Sequence, residues 1–259
     1  MVDLALPRLK VRSLTVWKRN ALVWQKLIGP SLMINFGEPT LYLLGLGYGL
    51  GLFIGKMAGM DYLTFLASGV VASSAMNTAT FEGLYSVYTR MVPQHTYDGM
   101  LATPMEVDDI LAGEMLWCAT KSLINGVAIL TVATLLGAVG DWHAILALPV
   151  VFLVGLCFAG PAMVMSALSP GYDFFSYYFT LAITPMFILC GVFYPVSALP
   201  AALQSLVQVL PLTHAVALVR PLVAGQPLTD VGLHLAVLAA YAAVGYYVAV
   251  VLTRKRLVV

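Results

Sequence analysis

The run GVFYPVSALPAALQSLVQVLPLTHAVALVRPLVAG, residues 191–225, is the part of this chain that a count of straight membrane helices leaves unexplained. Pro195, Pro200, Pro211 and Pro221 are poor material for one continuous helix, because proline lacks an amide hydrogen and its ring clashes with the preceding turn. The stretch is nevertheless too apolar for a water-exposed loop, and His214 and Arg220 stand alone in it. Such a segment must be buried without spanning.

The rest of the chain supplies the surroundings. Hydrophobic types make up 61% of the 259 residues and charged types 10%, with a mean hydropathy of +0.92. Soluble domains carry about 25% charged residues, so this composition reads as an all-α polytopic membrane protein. The net charge of +1 carries little information, since in a bilayer the position of each charge matters. Cys118, Cys157 and Cys190 lie in apolar runs without CxxC spacing, which points to packing and neither to a disulfide framework nor to zinc.

A bilayer core takes about 20 apolar residues of helix. On that measure six transmembrane helices are expected: Ser31 to Gly55, Tyr62 to Val87, Ile110 to Gly137, Trp142 to Leu168, Phe174 to Leu189 and Val231 to Leu252. With the N-terminus inside, ten lysines and arginines fall on inner segments (Arg8, Lys10, Arg12, Lys18, Arg19, Lys26, Arg90, Arg254, Lys255 and Arg256) against two, Lys56 and Arg220, outside. The positive-inside rule then puts both termini in the cytoplasm. No cleavable signal peptide is read in the basic first thirty residues.

Residues 1–30 form a tail and, around Trp17, Leu22 and Trp24, an amphipathic helix expected to lie in the headgroup region. Residues 31–259 form the six-span domain, with a cytoplasmic connector at 88–109 and a re-entrant helical segment at 191–230, before the last span. In the first span, Gly45, Gly47, Gly49, Gly51 and Gly55 include GxxxG pairs suited to close helix contact. GLGYGLGLFIGK is not a P-loop, because Leu50 stands where the first glycine belongs and Met57 replaces the Ser or Thr.

Ionisable residues inside spans are functional candidates by default. Glu38, Glu82, Glu114 and Lys121 qualify, and Glu114 and Lys121, two helical turns apart, share a face. His95, His143, His214 and His234 have no metal-site spacing and there is no GxSxG elbow, so no catalytic centre is expected. The connector has Arg90 against Asp98, Glu106, Asp108 and Asp109, a balance that disfavours anionic lipid. A short helix from Val92 to Leu101, between Pro93 and Pro104, would present Gln94, Tyr97 and Asp98 to a protein partner.

Together these pieces resemble the membrane-spanning subunit of type-2 ABC exporters over nearly the whole chain. Leu199, Pro200, Pro211, Leu212, His214 and Arg220 stand in the order and spacing of that family's C-terminal signature. TYDGMLATPM, Thr96 to Met105, is similar to its coupling helix and the exit from it. The resemblance implies that Arg90, Gln94, Tyr97, Asp98, Thr103 and Pro104 meet a soluble ATPase subunit, which would bind ATP and Mg²⁺; this chain would hold no cofactor of its own. It further implies a homodimer in the bacterial inner membrane with two ATPase chains, and no nucleic-acid partner.

Within the family the likeness runs nearest to exporters of nodulation signals, implying an outward-moving lipo-chitooligosaccharide, or a related glycan, lipid or drug. Glu38, Glu82, Lys121, Tyr177, Phe193 and Tyr194 are the candidates for lining its route, and the aromatic run from Tyr172 to Phe179 offers faces for sugar rings. Two other classes stay open. An ion-gradient-driven transporter would use Glu38, Glu82 or Lys121, and a membrane scaffold would transport nothing.

Overall fold

The computed structural model describes residues 5–257, and the side chains of residues 32, 34, 35, 38 and 39 lie outside that description. The candidate Glu38 is therefore outside the described side chains.

The protein is almost wholly helical. Helix α1 is Ser13–Gln25. Helix α2 covers 28–54 and contains a π-helical stretch, Leu43–Tyr48. A two-stranded ribbon, Lys56–Met57 paired with Met60–Asp61, turns at Ala58 and Gly59, whose φ values of 51° and 80° suit a tight hairpin. Helix α3 covers 62–91 and is interrupted by π-helical Glu82–Ser86. After the short α4, Thr96–Leu101, come α5, Val107–Leu135, and α6, Trp142–Leu168. The chain closes with α7, Asp173–Leu189, α8, Ala201–Val207, α9, Pro211–Ala224, and α10, Val231–Leu257.

Each expected span coincides with a helix, but several ends move. The helix of the first expected span starts at Ile28, not Ser31, that of the third at Val107, and that of the last runs to Leu257. The early start of α5 has a local cause: Glu106 and Asp109 cap each other's backbone, so the helix begins before the apolar run does. By length and composition α5, α6 and α10 can each cross a membrane, and α8 with α9 forms a pair bent by 87°.

That bend is where the opening stretch departs from a straight helix. Pro211 occupies the first turn of α9, where its missing amide is harmless, and Gly225 ends α9 in the left-handed conformation. Pro221, poor material for a helix interior, nevertheless lies within α9, one turn before that stop. Gly225, not Pro221, terminates the helix.

Helix α6 is the centre of the bundle, packing against α3, α5, α9 and α10. It meets α10 at Gly160 and Gly245, where a Cβ on either glycine would come within 2.9 Å of the other helix's backbone. Apolar cores tolerate no such overlap, so both positions require glycine.

Candidate coupling and transport site

Four charged side chains from α3 and α5 meet in one chain of contacts. Lys121 Nζ lies 2.9 Å from Glu82 Oε2; Arg90 Nη2 lies 3.1 Å from Glu82 Oε1 and 2.6 Å from Glu114 Oε2. Trp117 Nε1 also donates to Glu82, at 3.2 Å, and Asn20 Nδ2 of α1 donates to Glu114 Oε2 at 2.9 Å. Glu114 and Glu82 are buried, so each carboxylate needs these donors to offset its loss of water. Glu82 opens the π-helical turn of α3, a kind of distortion that recurs at functional positions.

The short helix α4 enters the same network. Tyr97 is fully buried, and its hydroxyl sits beside Glu114 without a closed hydrogen bond, while Glu114 Oε1 also has no partner. Burial, reinforced by the negative charge of Glu114, holds the Tyr97 phenol well above its ordinary range, so it stays protonated. The expectation that Tyr97 faces a partner is thus corrected: Tyr97 points into the bundle and Asp98 points out. The expected helix from Val92 to Leu101 is shorter as well, because His95 takes a left-handed backbone, φ 49°, and the helix starts after it.

The other sequence-predicted residues around α4 are exposed. Asp98 is paired with His95 at 2.8 Å, Gln94 is open, and Thr103 turns its hydroxyl to the Met100 carbonyl at 2.6 Å. Pro104 is exposed, and its carbonyl accepts from Arg12. Arg90 does not belong to this outer set, being committed to Glu82 and Glu114.

Asp108 and Asp109, counted in the acidic balance of the connector, are buried. Asp108 receives Arg254 through Nε at 2.9 Å and Nη2 at 2.6 Å, and Tyr246 donates to its carbonyl. Arg256 donates to the carbonyls of Ser166, Ala167 and Ser169 at the end of α6, where a cation complements the helix dipole. Two of the basic residues that set the charge asymmetry are therefore also structural clasps.

At the opposite end of the bundle the signature residues build an anchor. Arg220 Nη2 donates to the Gly191 carbonyl at 2.6 Å and Nε to Ser68 Oγ at 3.1 Å, with the guanidinium 3.7 Å from the centre of the Phe65 ring. His214 Nε2 meets the Gln208 carbonyl at 2.8 Å and its Nδ1 lies 2.7 Å from Nδ1 of His234. Leu212 is buried, Leu199 is half-buried, and Pro200 leads into α8. Phe193 packs edge-on against Phe187 at 4.9 Å and Tyr194 is half-buried beside it, whereas Tyr177 is exposed and apart from the charge network.

Sequence reasoning missed Asn20 and Trp117 as partners of the acidic pair. No spacing rule joins them to Glu114 and Glu82, which lie 94 and 35 residues away. The one local signal was Trp117, a side-chain donor three residues after the intramembrane Glu114.

Residues 11–224 match the family described as ABC-2 type transporter. Nodulation protein J of Rhizobium meliloti (strain 1021) is 43% identical over 254 residues, 98% of this chain and 97% of its own. Nodulation protein J of Rhizobium leguminosarum bv. viciae is 46% identical over 245 residues, 94% of each chain. A more distant relative, the inner membrane transport permease YadH of Escherichia coli (strain K12), is 25% identical over 75% of this chain and 74% of its own.

Proposed function

The chain belongs to the ABC-2 type transporter family, and from that premise we propose that it is the permease subunit of an ATP-driven exporter, powered by a separate soluble ATPase. Two copies of this chain and two ATPase chains form the working unit, with ATP and Mg²⁺ bound in the partner. The chain crosses the bacterial inner membrane six times, with both termini in the cytoplasm, α1 on the inner surface, and 191–230 dipping into the outer half. Gly45 and Gly49 support the dimer, since a Cβ on either would meet nothing within 4 Å inside one chain.

One observation carries the coupling reading: α4 has an exposed face with Asp98 and a buried face with Tyr97 against Glu114. A partner that grips Gln94, Asp98, Thr103 and Pro104 moves α4 as a unit. Tyr97 then carries the displacement to the Arg90, Glu82 and Glu114 contacts, which hold α3 to α5. Binding energy at the ATPase shifts the bundle between two arrangements because those contacts differ between them.

The cargo proposed is a lipo-oligosaccharide of nodulation-signal type, by likeness to the relatives named nodulation protein J. Tyr85 and Tyr172, stacked 6.2 Å apart against the buried rings of Tyr88 and Phe175, provide the accessible ring faces suited to sugars. A gradient-driven transporter has less support, because Glu82 and Lys121 are already committed to each other.

The test is purification in mild detergent followed by ATPase and export assays. A stoichiometric ATPase should accompany the chain, and replacing Tyr97 and Asp98 by alanine should leave ATP hydrolysis running while export stops. Export at the wild-type rate by that double variant would overturn the coupling assignment.

A further inference from the structure

A cavity of about 600 Å³ lies between α2, α3, α5 and α7. That volume falls in the range of small-molecule sites, about 300–1,000 Å³. It is too small for a whole lipid-linked oligosaccharide, so it would receive one part of such a cargo.

Its polar wall is regular. Ser74, Asn77, Thr78 and Glu82 recur on one face of α3 at helical spacing, opposite Lys121 and Asn125, one turn apart on α5. Asn125 Nδ2 donates to Thr78 Oγ1 at 2.8 Å, which leaves Asn125 Oδ1 buried without a partner. Among the described residues, the side chains of Ser74 and Asn77 make no hydrogen bond. Uncompensated polar groups are costly at membrane depth, so these need water or a ligand.

The charges beside the cavity restrict that ligand. Lys121 is neutralised by Glu82, and Arg90 is spent on Glu82 and Glu114. No unpaired cation lines the described wall, so a phosphate or carboxylate head would enter without a counter-charge. Phe179 and Phe187 of α7, with Phe81 of α3 6.4 Å from Phe179, line the cavity as well, and their ring faces suit the apolar face of a sugar.

We infer that this cavity receives an uncharged, hydroxyl- and amide-bearing sugar unit of an amphiphile, with Asn77 and Asn125 reading it, and that it rejects anionic lipid heads. The inference rests on the exporter reading for its biological direction, but its binding chemistry is testable apart from it.

The experiment uses the full chain in nanodiscs and a dodecyl N-acetylglucosaminide with a fluorophore at the end of its alkyl chain. Saturable binding is expected, weakened about tenfold by Asn125→Leu and by Asn77→Leu, as for loss of a buried hydrogen bond. Dodecyl phosphate at equal concentration should displace little of it. Asn77 has no side-chain partner to lose, so Asn77→Leu keeps the test decisive if Asn125→Leu misfolds. Wild-type affinity in Asn77→Leu, or equal competition by dodecyl phosphate, would overturn the inference. ATPase recruitment is followed in parallel. Recruitment without saturable probe binding rejects the cavity assignment alone, whereas probe binding with both expected effects but no ATPase upholds it and rejects the exporter reading.

Discussion

Arg90 Nη2 stands 2.6 Å from Glu114 Oε2, so a residue near the end of α3 holds the first half of α5 across the connector that carries α4. Both side chains are largely out of solvent, and Arg90 also serves Glu82. Removing the cation leaves two buried carboxylates with weakened compensation. Arg90→Ala should therefore destabilise by about 3–5 kcal/mol, the usual cost of orphaning a buried charge. Unfolding in detergent against denaturant measures it. Adding Glu114→Gln to the same chain should recover part of the loss, because one orphaned charge disappears; an additive double variant would mean the two residues do not interact.

Tyr97 and Asp98 are neighbours with opposite roles, and single substitutions should separate them. Tyr97→Phe removes a hydroxyl that makes no closed hydrogen bond, so stability and coupling should be nearly unchanged. Tyr97→Ala empties a fully buried site and should cost about 3–5 kcal/mol, with ATP hydrolysis freed from export. Asp98→Ala, on the exposed side, should change stability by no more than about 0.5 kcal/mol while weakening ATPase retention on a column. If Asp98→Ala retained the ATPase as tightly as wild type, the exposed side of α4 would not be the docking face.

The helices were legible because apolar run length is a local property. The six expected spans fall on the helices α2, α3, α5, α6, α7 and α10, of which α5, α6 and α10 are long and apolar enough to cross a membrane, and Pro211 marks the start of α9 by backbone chemistry alone. The site was legible in its members but not in its pairing. Glu82, Glu114 and Lys121 stand out as charges in apolar surroundings, whereas Arg90 reads as a connector residue, and their connection depends on how α3 and α5 pack after the chain turns through α4. The direction of Tyr97 and the burial of Asp108 depend on the same packing, which hydropathy does not encode. Asp108 reads as one more connector charge until Arg254, 146 residues away, is brought to it.

The open glycines of α2 give a prediction about assembly that leaves the single chain intact. Gly45 and Gly49 lie one turn apart, and a Cβ on either would meet nothing within 4 Å, whereas a Cβ at Gly47 would strike the Leu63 side chain. Gly45→Leu with Gly49→Leu should leave monomer unfolding unchanged or slightly improved and should reduce the dimer fraction counted by single-molecule photobleaching. Gly47→Leu should destabilise the monomer itself. A full dimer population in the Gly45/Gly49 variant would move the two-fold contact away from this face of α2.

Arg220 explains how a proline-rich segment can hold a fixed shape without spanning. Gly191 sits at φ 83°, and its carbonyl turns to Arg220, whose guanidinium also reaches Ser68 and covers the Phe65 ring. One side chain of α9 thereby ties the exit of α7 to α3, on both sides of the bent pair. Lysine cannot reproduce this, because an ammonium lacks the planar fork that stacks on a ring while donating along two edges. Arg220→Lys should cost about 1–3 kcal/mol and Arg220→Ala about 2–4 kcal/mol, from lost charge-assisted hydrogen bonds and the cation–π contact. Limited proteolysis should find new cleavage between Gly191 and Pro211 in both variants, stronger in Arg220→Ala, while the α4 end keeps its ATPase. Loss of ATPase binding without new cleavage would show that Arg220 acts on the whole bundle and not on this segment.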